Sequence, residues 1–388
     1  MHLWDCRVVC RIGGLLAMTT PTITVESNNQ HYMKTIPITD RTQWEEFINE
    51  HSITTFMQSW AWGEFESSCD HQVFRFFVSD ETRIIAAIQA ILIKSKRGVF
   101  LYVPHGPILH RDLIAESSWT DSADASLPQF GVIEKTLKSM HRELLHIAGE
   151  HNCSFVRLNS SLPKNTHLEE LFLEFGYRTA PIYLTSENAA VLDLNNASSD
   201  QLLANMRKTT RYLIHKAEKE GVTVEVDTSG EKIRDFMKLY AITTEREKFV
   251  GFGENYIKSE FEAFGQYENA VILNAYHRAE NLATALILFT KNSAFYHQGA
   301  SNHPKVPAPY LLQWRAIQLA IERACKYYNF WGTYIPGRTP KSWQGLSLFK
   351  LGFGTQIWNY LPTYDYPLKS SYYLTNIYEH YIRLRRGV

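Results

Sequence analysis

The sequence predicts a mixed α/β protein, α+β in its segregation of elements, built from two domains in tandem. Three observations carry that expectation: the chain has 388 residues, 45% of them are apolar, and the element order of the first half recurs in the second. Single hydrophobic cores stop growing at about 250–300 residues, so this length divides into two. With 21 Tyr, 21 Phe and 9 Trp there is ample material for two cores, which excludes wholesale disorder. Lys plus Arg and Asp plus Glu both number 40, so nucleic acid could be held only by a local patch. Cys6, Cys10, Cys69, Cys153 and Cys325 form neither a disulfide framework nor a zinc cluster, and they suit a reducing cytoplasm.

Residues 1–37 read as a disordered leader. Its apolar stretch at 12–18 follows Arg7 and Arg11 but is too short for a signal peptide, and Met18 and Met33 are alternative starts. Apolar runs such as 84–93 fall short of the roughly 18–20 residues of a membrane span. The first domain, 38–185, opens with a helix capped by Thr39-Asp40 and carrying Trp44, Phe47 and Ile48. Strands follow at 73–79, 84–94 and 99–104, then a polar surface loop at 116–128. A helix at 131–151 places Ile133, Leu137, Met140 and Leu144 on one face. Strand 154–159, helix 168–175 and strand 178–185 close the unit.

The second domain, 186–368, runs in similar order. Strand 190–194, helix 199–220, strand 222–226 and helices 231–247 and 255–264 precede strands 270–276, 282–290 and 294–299. A helix at 309–328 has Pro309 in its first turn, with Cys325 on its apolar face. Strands 329–333 and 356–364 complete it. Residues 369–388 form a helix expected to pack on the first domain. Its stripe of Tyr373, Leu374, Ile377, Tyr378, Tyr381 and Ile382 reads as core, or, with Arg383, Arg385 and Arg386 behind it, as an interfacial helix at the inner membrane surface.

Several motifs carry candidate chemistry. Arg207, Arg211 and His215 recur at i, i+4, i+8 beside Lys208, a spacing that suits either a phosphate partner or a solvated face. Gln58-Ser59-Trp60-Ala61-Trp62-Gly63 offers aromatics for a core or a ligand platform. Arg246 ends a helix, where it could simply answer the dipole. Tyr296 to Ser301 ends a central strand, and polar residues there commonly line a cleft. Lys350 stands alone among apolar residues and glycines, as a snorkelling side chain or a functional cation. Signatures of serine hydrolases, P-loop NTPases and zinc enzymes are missing. The helix–strand order of each half resembles that of GNAT acetyltransferases. The connection 301–309, however, has three prolines and no glycine, a poor cradle for the pyrophosphate of acyl-CoA, so another acyl donor is expected.

In order along the chain, Gln58-Ser-x-x-Trp62-Gly, Gly106-Pro107, Arg207-Lys-x-x-Arg211-Tyr212, Thr244-x-Arg246, Tyr296-x-x-Gly299-Ala300-Ser301 and Phe349-Lys350-x-Gly352-Phe353-Gly354 resemble the FemABX family of aminoacyl-tRNA-dependent peptidoglycan bridge-forming transferases. No long heptad insertion is visible, so the resemblance is to armless FemX-type members. It implies two tandem GNAT-like domains and transfer of an amino acid from charged tRNA to the stem-peptide amino group of a peptidoglycan precursor. It also implies a monomer without cofactor or metal. Arg246 and Tyr296 would contact the precursor, with Gln58, Trp62 and Ser301 in its site. Phe349 and Lys350 would face the tRNA acceptor end and the developing oxyanion. The cations Arg207, Lys208 and Arg211 would meet RNA or precursor phosphate. The sequence departs from the pattern at Glu66, where a precursor-binding Lys is frequent, at His110 and Asn159, where acids are frequent, and at Val250, where a Tyr can occur. A GNAT-like N-acyltransferase with another donor, and a non-catalytic tRNA- or precursor-binding relative, are the competing readings.

Overall fold

The structure, a computed structural model, describes residues 33–95, 98–120, 127, 129–247, 250–302 and 305–388. Expectations for residues 1–32 and for 121–126 and 128 of the polar loop lie outside it.

The first half comprises β1 (Lys34–Pro37), α1 (Arg41–His51), α2 (Trp60–Ser68), β2 (Gln72–Ser79), β3 (Ile84–Ser95), β4 (Gly98–Pro104), β5 (Ile108–Leu109), α3 (Phe130–Glu150), β6 (Phe155–Asn159), α4 (Thr166–Glu174) and β7 (Arg178–Thr179). The second comprises β8 (Asn188–Asp193), α5 (Ser199–Asn205), α6 (Lys208–Lys219), β9 (Thr223–Asp227), α7 (Ile233–Glu247), α8 (Glu254–Gly265), β10 (Ala270–His277), β11 (Glu280–Phe289), β12 (Ser293–Ser301), α9 (Ala308–Glu322), β13 (Tyr327–Asn329), α10 (Trp343–Leu351) and β14 (Gln356–Asn359). Two further elements, β15 (Tyr364–Pro367) and α11 (Tyr372–Arg385), end the chain.

The first sheet has the order β1-β2-β3-β4-β6-β15-β7, with β5 beside β3; the second is β14-β8-β13-β12-β11-β10-β9. Each is mostly antiparallel and contains one parallel pair, β4–β6 and β12–β13. Two mixed sheets flanked by helices is the architecture the element order predicts. β3 is buried on both faces from Ile85 to Ile93, which is why its sequence is a near-continuous apolar run. The halves share a core in which Phe56 and Trp62 meet Phe264, Phe295 and Trp331.

Several expectations are corrected. Residues 34–37, assigned to the leader, pair with β2 as an edge strand. The loop 116–128 is not wholly surface, because Trp119 is buried against Trp358 and donates Nε1–H to Ser161 O. The strand at 178–185 shrinks to two residues. The helix at 199–220 breaks at Met206-Arg207, where the Arg207 N–H bonds Gly352 O instead of continuing the helix. The helix at 309–328 ends at Glu322, as Ala324 turns the chain at φ 56° and leaves Cys325 buried in the connection. The strand at 356–364 is two strands in different sheets, so 364–367 belong to the first sheet and not to the second domain.

That return is held by charge. Arg157 of β6 donates Nε–H and Nη2–H to the Asp365 carboxylate at 2.7 Å each, and Nη1–H and Nη2–H to Glu379 at 3.0 and 2.7 Å. All three side chains are at most 1% exposed. Burial raises Asp365 above the usual carboxylate range, and the two acids sharing one guanidinium hold Arg157 fully charged. Removing one member of such a cluster strands buried charge. Arg157→Leu should therefore lower stability by about 3–5 kcal/mol in urea unfolding at pH 7. The deficit should shrink as pH falls, because the orphaned Asp365 carboxyl, already raised by burial, takes up a proton.

Candidate active site

β12 and β13 run in parallel register only from Ser293 to Phe295 opposite Tyr327 to Asn329. β12 then continues to Ser301, whereas β13 ends. Trp331 turns the chain at φ 67°, with its N–H bonded to Asn329 Oδ1 at 2.7 Å. The two parallel strands part at their carboxyl ends, which is the usual ligand position in open α/β sheets.

Lys350 enters here from the last turn of α10, a helix the sequence reading had left unassigned. Its ammonium is buried and donates to Gly332 O at 2.7 Å; among the described residues no carboxylate pairs with it. Desolvation pushes it down to about 7. A Cβ at Gly332 would lie 2.2 Å from Ser186 Oγ, so glycine is what lets this carbonyl sit beneath the lysine. The neighbouring Phe349 turns the other way, onto Tyr310 and Phe353 at 5.0 and 5.3 Å. Gly352 packs on Thr210, where a Cβ would meet Oγ1 at 2.4 Å. The Phe-Lys-x-Gly motif is thus the joint between α10 and the break separating α5 from α6.

That joint positions the cations. Arg207 is the N-cap residue of α6, and its exposed guanidinium reaches Leu348 O at 3.4 Å. Lys208 is exposed beside it. Arg211 is corrected: its Nη1 donates to Leu203, Ala204 and Met206 carbonyls, closing the C-terminus of α5 rather than facing outward as a phosphate ligand. Tyr296 lies over Gly299, where a Cβ would be 1.9 Å from its hydroxyl; this explains the Tyr-x-x-Gly spacing. Burial raises that hydroxyl to about 12. Arg246 and Ser301 meet at the far end of β12: Nη1 donates to Ser301 O at 2.5 Å, and Thr243 Oγ1 receives the Ser301 N–H.

The Gln-Ser-x-x-Trp-Gly motif is corrected in the same sense at Gln58. Gln58 is fully buried: Oε1 accepts from Gln89 N, and Nε2 donates to Gln89 O and Pro104 O, so it clamps β3 to β4. Ser59 caps α2 through Trp62 N–H. Gly63 admits the Arg75 guanidinium, which a Cβ would meet at 1.9 Å. Trp62 is buried at the shared core, its Nε1 without a hydrogen-bond partner. The sequence reading missed Glu260, which bonds His297 Nε2 at 2.7 Å with both side chains at most 2% exposed. The signal was present: Glu260 falls on the buried stripe of α8 with Ile257, Phe261 and Phe264.

The FemAB family profile matches residues 39–116, 166–280 and 268–380. The chain belongs to the FemAB family. The crystal structure of FemX superposes with a TM-score of 0.72 at 16% identity, over 88% of this chain and 99% of that one. L-PGS from Bacillus licheniformis gives 0.52 at 18%, over 87% and 95%. A tandem GNAT protein from the clavulanic acid biosynthesis pathway gives 0.50 at 10%, over 86% and 98%. At these identities the likeness is one of fold, and it is the tandem GNAT-like fold. No curated protein sequence matches the chain. FemAB membership carries acyl-group transfer.

Against the FemAB pattern, the departures have structural partners. Glu66 is buried, bonded to His71 Nδ1 at 2.7 Å and raised above the usual carboxylate range by desolvation. Asn159 Oδ1 accepts from Thr185 N at 2.7 Å. His110 lies 4.2 Å from the His51 ring in a cavity of about 350 Å³ at the ends of β4 and β6. Burial lowers both histidines, His51 to about 4.

Lys350 has a stability consequence. Its ordinary value is 10.5 and its folded value about 7, so between these the unfolded chain binds more protons. Stability from this group rises with pH through that window, and below pH 7 the full penalty of a buried ammonium applies. Lys350→Met should raise Tm at pH 6 relative to wild type, with the gain shrinking by pH 10. Scanning calorimetry at the two pH values checks this, and an equal gain at both would contradict it.

Proposed function

We propose that the protein transfers an amino acid from aminoacyl-tRNA to the stem-peptide amino group of a peptidoglycan precursor, carried on UDP-MurNAc-pentapeptide or lipid II. The observation that carries this reading is Lys350: a buried lysine with no acidic partner among the described residues, close to where β12 and β13 part.

An aminoacyl ester is already activated, so its aminolysis needs a positioned neutral amine and stabilised charge rather than a covalent nucleophile. The acceptor nitrogen attacks the ester carbonyl, the tetrahedral oxyanion collapses, the C–O bond to the ribose breaks, and the amine proton leaves with the tRNA hydroxyl. Lys350 is suited to stabilise the oxyanion or the acceptor-end phosphate. Phe349, packed on Tyr310 away from Lys350, would support the acceptor end only from behind the helix, and Arg207 and Lys208 offer exposed cations for the tRNA backbone. Arg246, bonded to Ser301 O at the end of β12, and Tyr296 within that strand would contact the acceptor.

Purified protein given radiolabelled aminoacyl-tRNA and each precursor should move label into the precursor. Label moved instead from acetyl-CoA would favour an N-acyltransferase, and binding without turnover a non-catalytic relative. Lys350→Met should lower the transfer rate on the order of 10²- to 10³-fold, the typical loss of one oxyanion stabiliser; a rate within a few-fold of wild type rejects the role. Lys208→Glu should weaken tRNA binding and reduce the log–log salt slope by about one. An unchanged slope would make this face a solvated one.

A further inference from the structure

The C-terminal helix has its polar face inside and its apolar face outside. Tyr372, Thr375 and Glu379 are the buried residues of α11, and Glu379 is ion-paired to Arg157. At about 100° per residue the opposite side carries Tyr373, Leu374, Ile377, Tyr378, Tyr381 and Leu384 within an arc of roughly 140°. These are among the most exposed large apolar residues of the protein: Leu374 is 73% exposed, Ile377 67% and Leu384 75%. The sequence expectation that the stripe packs back as core is overturned; the side that packs carries Thr375 and Glu379, with Tyr372 against Phe155.

The cations set at that face are two: Arg385 falls within the arc, and the Arg178 guanidinium stands over the Tyr373 ring at 5.7 Å, whereas Arg383 and Arg386 lie towards the packed side. Glu379, the helix's one acid, is turned inward. We propose that α11 docks on an anionic lipid bilayer, lying in the plane of the interface with its apolar arc among the acyl chains and Arg178 and Arg385 at the headgroups. An interfacial helix needs this combination of apolar arc, aromatic residues and cationic rim. A second copy fits worse, because an isologous contact through the same face would set arginines against arginines. Among the described residues no helix is long and apolar enough to cross a membrane, so this helix can lie on one but not span it. Its C-terminal end also contacts the loop leading to α10, through Arg383 Nη2–H to Gly337 O at 2.8 Å, which would hold the Lys350 site near the surface. Docking does not depend on the transfer reaction proposed above, and the two can fail separately.

The test is co-sedimentation of the full chain with vesicles of phosphatidylcholine alone and with 30 mol% phosphatidylglycerol (about 3 in 10 lipids). The expected result is binding to the anionic vesicles, weakened by high salt. The triple variant Leu374→Glu, Ile377→Glu, Leu384→Glu changes only outward positions, so its Tm should stay near wild type while partitioning falls at least about tenfold. Arg385→Glu should weaken binding at low salt and less so at high salt. Transfer to a soluble acceptor should be unchanged in both variants, since neither touches the Lys350 site. Equal vesicle binding by wild type and triple variant, or none by wild type, overturns the proposal. So does a wild-type dimer in light scattering that the triple variant dissolves, which would assign the face to a second copy, or vesicle binding that disappears with residues 1–32 alone.

Discussion

Arg157 sits in the middle of the first sheet with its guanidinium withdrawn from water, and two carboxylates from the end of the chain are what make that position tolerable. Asp365 brings β15 alongside β6, and Glu379 brings α11 against the same strand. A buried ion cluster is seldom a net gain over apolar packing, but it is intolerant of any arrangement that leaves a member unpaired. It therefore specifies where the last 25 or so residues must lie. The second sheet is an insertion between β7 and β15, closed by the first sheet at both ends, and the aromatic core around Phe56 and Trp331 joins the two.

Within that frame the two parallel pairs have diverged. In the first, β4 and β6 stay in register for five residues, from Phe100 opposite Phe155 to Pro104 opposite Asn159, and Gln58 clamps the neighbouring strands. In the second, the register stops after three residues, and beyond it Lys350 bonds the Gly332 carbonyl. The same topological unit is thus held in register once and released early once. The glycines of the site act by closeness: Gly332, Gly299 and Gly352 each stand where a methyl group would collide with a side chain that the site needs in place.

Much of this was legible in the residues. Alternation and apolar runs gave the strands of both meanders, and Asp40 and the 131–151 stripe gave their helices. The glycines of the Phe-Lys-x-Gly and Tyr-x-x-Gly spacings stand at points of close packing, against Thr210 and Tyr296. What remained hidden was non-local. Nothing near Met206-Arg207 breaks a helix, since no Gly or Pro is present; the break is made by a carbonyl on Gly352. Residues 356–364 read as one strand because local pattern carries no information about which sheet a strand will join. Gln58 looked like a ligand because a polar residue in an aromatic motif has the same signature whether it faces a substrate or three backbone groups. The apolar stripe of α11 was visible, but periodicity cannot say which side of a helix faces inward.

The ion cluster also imposes an order in time. Asp365 and Glu379 follow Arg157 by 208 and 222 residues. At about 5–20 residues per second of synthesis, β6 waits on the order of ten to forty seconds on the ribosome before its counter-ions exist. Throughout that interval Arg157 has neither of the carboxylates that compensate its burial, so the ion cluster of the first sheet is completed only once α11 has been made.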